Sequence, residues 1–260
     1  MPDTEPTLVR EQRGAVLVLR LNRPEARNAF DMALLSQFGD AIVEAEDDPG
    51  IRAVVLTGTG DRAFCAGMDL AAFASGDKPT EAQKAGLRVF GRFTQGDVSV
   101  PIVAAINATA VAGGFELMMG CDVVVASSEA RFGLPEVKRG LFAAGGGIML
   151  ATRIPQATAL ELALTGDYID AERAQALGLV NQVVAPADVL DAAIALAERI
   201  ARNGPLALQA TKELVRLAVT DAAAALAKQG EWQPRIWASD DAKEGATAFV
   251  EKREPVWKGR

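Results

Sequence analysis

Residues Pro101–Ala126 read PIVAAINATAVAGGFELMMGCDVVVA. The aliphatic opening, Pro101-Ile102-Val103-Ala104-Ala105-Ile106, has the length and composition of a buried strand. Gly113-Gly114 lead into a short helix that ends near Gly120, and Asp122-Val123-Val124-Val125-Ala126 is again a strand. Strand, turn, helix and strand in close succession is the alternation of an α/β protein rather than an all-β sandwich.

The same alternation extends toward the N-terminus. Ala15-Val16-Leu17-Val18-Leu19-Arg20-Leu21 is a strand ended by Asn22-Arg23-Pro24. Asp31 caps an amphipathic helix to about Glu46, with Leu34, Leu35, Phe38, Ile42 and Val43 on one face. Arg52-Ala53-Val54-Val55-Leu56-Thr57 is a buried strand, and Pro79 to about Gly96 is helical. Beyond residue 145 the chain is mostly helix, over 146–152, 157–164, 171–176, 187–203, 206–219, 221–238 and 240–252, with one strand at 179–184. This divides the chain into an α/β part, residues 1–200, and a helical part, residues 201–260. No repeat of fixed sequence period is present.

Composition narrows the chemistry. Half of the 260 residues are hydrophobic and 23% are charged, which suits a folded globular chain. The net charge of −7 disfavours nucleic acid as a partner, because a phosphate backbone is repelled. Cys65 and Cys121 have no metal-type spacing and read as buried small hydrophobes of a reduced protein. The opening MPDTEPTLVR has no signal-peptide pattern and no apolar run is long enough for a membrane span, so the cytoplasm is the expected location. There is no histidine. That excludes Ser-His-Asp and Cys-His nucleophilic catalysis and His-ligated zinc, and leaves acid–base work to carboxylates above all.

Three segments could carry such work. In Asn107–Asp122, two glycines open a helix whose first N–H groups lack intrahelical partners and can meet an anion or a developing oxyanion. Glu116 follows in its first turn; a tight turn with a helix-capping carboxylate fits this segment equally. Ala63-Phe64-Cys65-Ala66-Gly67-Met68-Asp69-Leu70 is another strand-to-helix turn, readable alone as a buried turn. In Phe132-Gly133-Leu134-Pro135-Glu136, an apolar neighbourhood would raise the pKa of Glu136, as suits a general acid. A helix N-terminal glutamate, or a partner for Lys138 or Arg139, is the alternative. Gly145-Gly146-Gly147 lacks the spacing of either nucleotide-binding glycine loop.

The order of these segments resembles a known family. Asn22-Arg23-Pro24-Glu25-Ala26-Arg27-Asn28-Ala29, Phe64-Cys65-Ala66-Gly67-Met68-Asp69-Leu70, Ala112-Gly113-Gly114-Phe115-Glu116-Leu117 and Phe132-Gly133-Leu134-Pro135-Glu136 resemble the motif set of the enoyl-CoA hydratase/isomerase (crotonase) family. The likeness continues through Ala174–Val180 and Ser239–Gly245 to Ala248–Arg253. The chain departs from the common pattern at Ala71, Ala108, Ala112 and Ala143.

The resemblance implies a crotonase-like superhelix of ββα turns with a C-terminal helical region that packs homotrimers, or dimers of trimers. It implies a trans-2-enoyl-CoA hydratase. The N–H groups of Met68 and Gly113 would form the oxyanion hole; Glu116 would activate water and Glu136 would protonate C2. Ala26, Arg27, Ala66, Gly67, Met68, Asp69, Leu70 and Gly113 would line the coenzyme A path, and Phe249 and Lys252 would meet the coenzyme from a neighbouring subunit. No metal and no separate cofactor is implied, coenzyme A being part of the substrate. Loop 71–80 and the following helix, with Phe73, Leu87, Phe90 and Phe93, would shape an apolar acyl pocket. A 3,2-enoyl-CoA isomerase, a specialised 3-hydroxyacyl-CoA dehydratase and a non-catalytic acyl-CoA-binding protein are the alternatives.

Overall fold

The computed structural model describes residues 6–69 and 79–260. Leu70, Ala71, Phe73 and most of loop 71–80 lie outside these residues.

A six-stranded sheet forms the backbone of the fold. Strand β1 (Leu8–Arg13) pairs antiparallel with β2 (Val16–Leu21). The others follow in parallel: β3 (Ala53–Gly58), β5 (Ile102–Ile106), β7 (Val123–Ser127) and β10 (Gln182–Val184). A second sheet is built from short strands, β4 (Ala63–Cys65), β6 (Thr109–Val111), β8 (Arg131–Gly133) and β9 (Ile169–Asp170), in that order. The long strands β3, β5 and β7 are each followed by a short one in the other sheet, β4, β6 and β8. Helix α1 (Met32–Asp47) precedes β3, α2 (Glu81–Thr94) follows β4, and α3 (Gly113–Gly120) follows β6. The ββα unit therefore repeats in space although the sequence has no fixed period.

The central strands are apolar throughout because both faces of the sheet are covered. Leu17, Leu19, Val54, Leu56, Ile102 and Ala104 face the main core, with α1, α2 and α3. The alternate residues Val16, Val18, Ala53, Val55, Val103 and Ala105 face α6 (Val189–Ala201), which contributes Val189, Ala193, Ile194, Ala197 and Ala201. Burying each such Val, Leu or Ile side chain contributes roughly 1.5–3 kcal/mol. Asp31 caps α1 as expected, accepting the Leu34 N–H. Phe30, Phe38, Phe90 and Phe93 form a cluster of edge-on ring contacts between α1 and α2. Phe90 and Phe93 pack into this cluster.

The segment expected as a helix over 146–152 is a 3-10 turn, Gly147–Thr152. After α4 (Gln156–Thr165), α5 (Ala171–Ala176) and α6, the chain ends in helices α7 (Pro205–Thr220), α8 (Ala222–Ala238) and α9 (Asp240–Glu251). None of the described helices is long and apolar enough to cross a membrane.

Helix α7 is tied to the sheet by Asp122. Its carboxylate pairs with Lys212 and Arg216, both at 2.7 Å, and accepts the Ile102 N–H at 2.8 Å. The Lys212 side chain is 8% exposed, and burial pulls its ammonium below the usual lysine range against the pull of Asp122. Removing one partner of a buried pair costs about 3–5 kcal/mol, because the other charges stay buried uncompensated. Asp122→Ala is accordingly expected to lower Tm by on the order of 10 °C for a chain of this size. Calorimetry of the variant checks this, and an unchanged Tm would contradict it.

Candidate active site

The site lies where the short sheet meets α3. Two backbone turns approach each other there. Gly67 has φ +94°, and a Cβ on it would lie 2.8 Å from the Gly113 nitrogen. A Cβ on Gly113 would lie 3.1 Å from the Gly67 Cα and 3.6 Å from the Met68 nitrogen. Only glycine permits this approach at Gly67. At Gly114 a Cβ would meet the Cys65 carbonyl oxygen, so α3 packs directly on β4.

The direction of the two amides follows from what fixes their carbonyls. All described peptides are trans, so each N–H points opposite the preceding C=O. The Gly67 carbonyl accepts the Phe30 N–H at 2.8 Å, which turns the Met68 N–H away from Phe30. The Ala112 carbonyl accepts the N–H groups of Phe115 (2.8 Å) and Glu116 (3.0 Å), which turns the Gly113 N–H out of the helix. Among the described residues neither the Met68 nor the Gly113 amide donates a hydrogen bond. Ala112 is held at φ +52°, ψ −132°, a conformation that favours glycine. Its own N–H is bonded to the Gly133 carbonyl at 3.0 Å, so the strain is locked from both sides.

Glu116 is 4% exposed, on the first turn of α3. Its Oε1 accepts the Gly147 N–H at 2.8 Å, and a Cβ on Gly145 would stand 2.5 Å from its Oε2. The glycine loop rejected above as a nucleotide loop thus wraps the Glu116 carboxylate. Burial pushes the pKa of Glu116 up; the Gly147 N–H opposes this, the charge of Glu136 adds to it, and the Gly145 N–H opposes it. The charge of Glu136 thus reaches the Glu116 carboxylate.

Glu136 sits on the 3-10 turn Pro135–Arg139, half-buried. Its Oε2 is buried with no hydrogen-bond partner among the described residues. Burial raises its pKa, opposed by its own backbone N–H and by Arg139. Lys138 pairs with Asp167 at 2.7 Å instead. Burial raises both carboxylates; two neighbouring backbone N–H groups oppose this at Glu116, and its own N–H and Arg139 oppose it at Glu136.

This gives a test of environment independent of activity. A carboxylate whose pKa is raised on folding stabilises the fold most below its unfolded pKa, and that contribution is lost as pH rises through the folded value. Glu136→Gln is therefore expected to be more stable than wild type at pH 7.5, with the difference shrinking toward pH 4.5. Denaturant melts of both proteins across that range read it; a gap independent of pH would contradict the buried, unpartnered carboxylate.

The remaining residues are placed as follows. Ala26 and Arg27 form the end of the 3-10 turn Pro24–Ala26 and its left-handed cap, with Arg27 exposed. The Ala66 N–H bonds the Arg27 carbonyl at 3.1 Å, which brings Ala26, Arg27, Ala66, Gly67, Met68 and Asp69 into one neighbourhood. Leu70 lies outside the described residues. Phe249, 85% exposed near the end of α9, and Lys252, its left-handed cap, belong to the C-terminal arm. Cys65 and Cys121 are fully buried, and burial pushes both thiols up to about 12. No metal-type cluster occurs among the described residues.

Residues 11–260 match the family model described as enoyl-CoA hydratase/isomerase. An enoyl-CoA hydratase from Mycobacterium tuberculosis H37Rv superposes with a TM-score of 0.90 at 46% identity, covering 98% of this chain and 100% of that one. A carnitinyl-CoA hydratase from Mycobacterium avium superposes with a TM-score of 0.76 at 42% identity, covering 99% and 100%. A carnitinyl-CoA dehydratase from Proteus mirabilis is 40% identical over 256 residues, 95% of this chain and 97% of its own length. The architecture is the crotonase fold, that of an enoyl-CoA hydratase-like protein. The chain belongs to the enoyl-CoA hydratase/isomerase family.

Proposed function

We propose that the protein is a hydro-lyase that adds water reversibly to a trans-2-enoyl-CoA, giving a 3-hydroxyacyl-CoA. The observation that carries this reading is one buried and one half-buried carboxylate, Glu116 and Glu136, beside two unengaged amides on adjoining turns. In the hydration direction, Glu116 takes a proton from water as its oxygen bonds to C3. The C2=C3 electrons move toward the thioester, and the resulting enolate oxygen meets the N–H groups of Met68 and Gly113. Glu136 then delivers a proton to C2. Dehydration runs the same steps backward. No cofactor is needed beyond the substrate's own coenzyme A.

The coenzyme A path is assigned to Ala26, Arg27, Ala66, Gly67, Asp69 and Leu70. Residues 201–260 are assigned to oligomer packing in a homotrimer or dimer of trimers, with Phe249 and Lys252 reaching a neighbour's coenzyme. The exposure of Phe249 and Val250, 85% and 79%, supports a covered surface there. The likeness to the Proteus relative favours a second substrate reading within the same reaction, dehydration of carnitinyl-CoA. Following the conjugated enoyl-thioester absorbance tests both: it falls with crotonyl-CoA or a longer homologue if the chain hydrates simple enoyl groups, and rises with carnitinyl-CoA if that is the substrate. No change with any of them, despite binding, would sink the hydro-lyase reading.

A further inference from the structure

We propose that Asn28 is a positioning residue that aims the Met68 amide; this rests on the reading of that amide as an oxyanion donor. Asn28 is fully buried, lies at φ +55°, and has its side chain engaged at both ends. Its Oδ1 accepts the Arg23 N–H at 3.0 Å. Its Nδ2 donates to the carbonyls of Thr59 at 3.0 Å and Ala63 at 2.8 Å. Asn28 thereby joins the turn at 23–29 to the β3–β4 turn. Gly58 leaves the space: a Cβ there would stand 2.7 Å from Asn28 Nδ2.

What hangs from this staple is the strand-like segment that orients the Met68 peptide. The Arg27 carbonyl accepts the Ala66 N–H (3.1 Å), the Phe30 N–H donates to the Gly67 carbonyl (2.8 Å), and the Phe30 carbonyl accepts the Asp69 N–H (2.9 Å). Residues 27–30 thus form one side of a ladder whose other side, 66–69, contains the donor. Arg23 closes the ladder's end by pairing with Asp31 (3.1 Å) and Asp69 (3.0 Å). If Asn28 releases the segment, the Gly67 carbonyl loses its fixed partner and the Met68 N–H loses its direction. Asn28 touches no reacting atom in this scheme; it acts through Phe30 and Gly67.

A displacement of about 1 Å in a positioned group can cost about 10²-fold in rate. Asn28→Gly keeps the positive φ accessible and removes all three side-chain bonds. Asn28→Asp keeps the acceptor for Arg23, tolerates the same backbone conformation and removes both amide donors. The expected result for each is a kcat lower by on the order of 10–10²-fold with KM near wild type. A spectroscopic signature separates aim from stability: the C=O stretch of bound hexadienoyl-CoA, read by difference Raman. Wild type should shift it to lower frequency, the Asn28 variants should shift it less, and Ile194→Ala should keep the wild-type frequency. Ile194→Ala is the control because it opens a cavity on the far face of the sheet and destabilises the fold without touching the site. Should Asn28→Gly not fold, Asn28→Asp carries the comparison. Folded Asn28 variants with wild-type frequency and kcat would overturn the proposal. Absence of any shift in wild type would overturn the reading of the amide itself, and the inference with it.

Discussion

Glu116→Gln is expected to lower kcat by about 10²–10⁴-fold, the usual contribution of a positioned acid or base. Gln keeps the shape and an oxygen for the Gly147 N–H at 2.8 Å, so the variant should fold. What it lacks is a site for the proton leaving water. Glu136→Gln should cause a loss of the same order, because C2 then has no proton donor. The two losses should not add. With either residue gone hydration cannot be completed, so the double variant should be scarcely worse than each single one. Stopped-flow or steady-state rates on the three variants check this. A double variant slower by the product of the single effects would mean that the two carboxylates act in independent steps.

Gly67→Ala is expected to lower kcat by about 10²–10³-fold, the cost of one oxyanion donor, or about 2.7–4 kcal/mol. The reason is geometric. A methyl group at this position would stand 2.8 Å from the Gly113 nitrogen and 3.1 Å from the Ala112 Cβ, in the gap between the two amides. The backbone at φ +94° adds strain of about 1–3 kcal/mol for any residue with a Cβ. Both effects move the turn off its aim. A kcat close to wild type in folded Gly67→Ala would show that the gap is not where the thioester oxygen sits.

The parts of this architecture legible in the sequence are those decided by burial alone. β2, β3, β5 and β7 read as predominantly apolar runs because helices cover both faces of the sheet. The short strands β4, β6, β8 and β9 were not legible. Two or three residues cannot express a period, and they are strands only because a neighbour across the second sheet pairs with them. β1 was hidden for another reason: it is an edge strand on which only Leu8 is buried.

The site divides the same way. The apolar surroundings of Glu136 and the glycines before Glu116 are local and could be read. The wrapping of Glu116 by Gly145 and Gly147 joins positions some thirty residues apart, as the Gly147–Glu116 bond shows, and the glycine run was compared only with nucleotide loops. Asn28 was visible as part of a motif, but its bonds to Thr59 and Ala63 span more than thirty residues and have no sequence signature. Phe90 and Phe93 are legible only as an apolar helix face, because an amphipathic helix presents the same residues to a pocket or to a core. Their contacts with Phe30 and Phe38 show their packing in the core.

The central claim is that two carboxylates and two amides add water across one double bond. It is tested most directly by incubating crotonyl-CoA with the protein in D₂O and reading the product by proton NMR. The account predicts 3-hydroxybutyryl-CoA bearing one deuterium at C2, formed by wild type and by neither Glu116→Gln nor Glu136→Gln. A 3-enoyl thioester carrying no hydroxyl, or a bound crotonyl-CoA that stays unchanged, would contradict it.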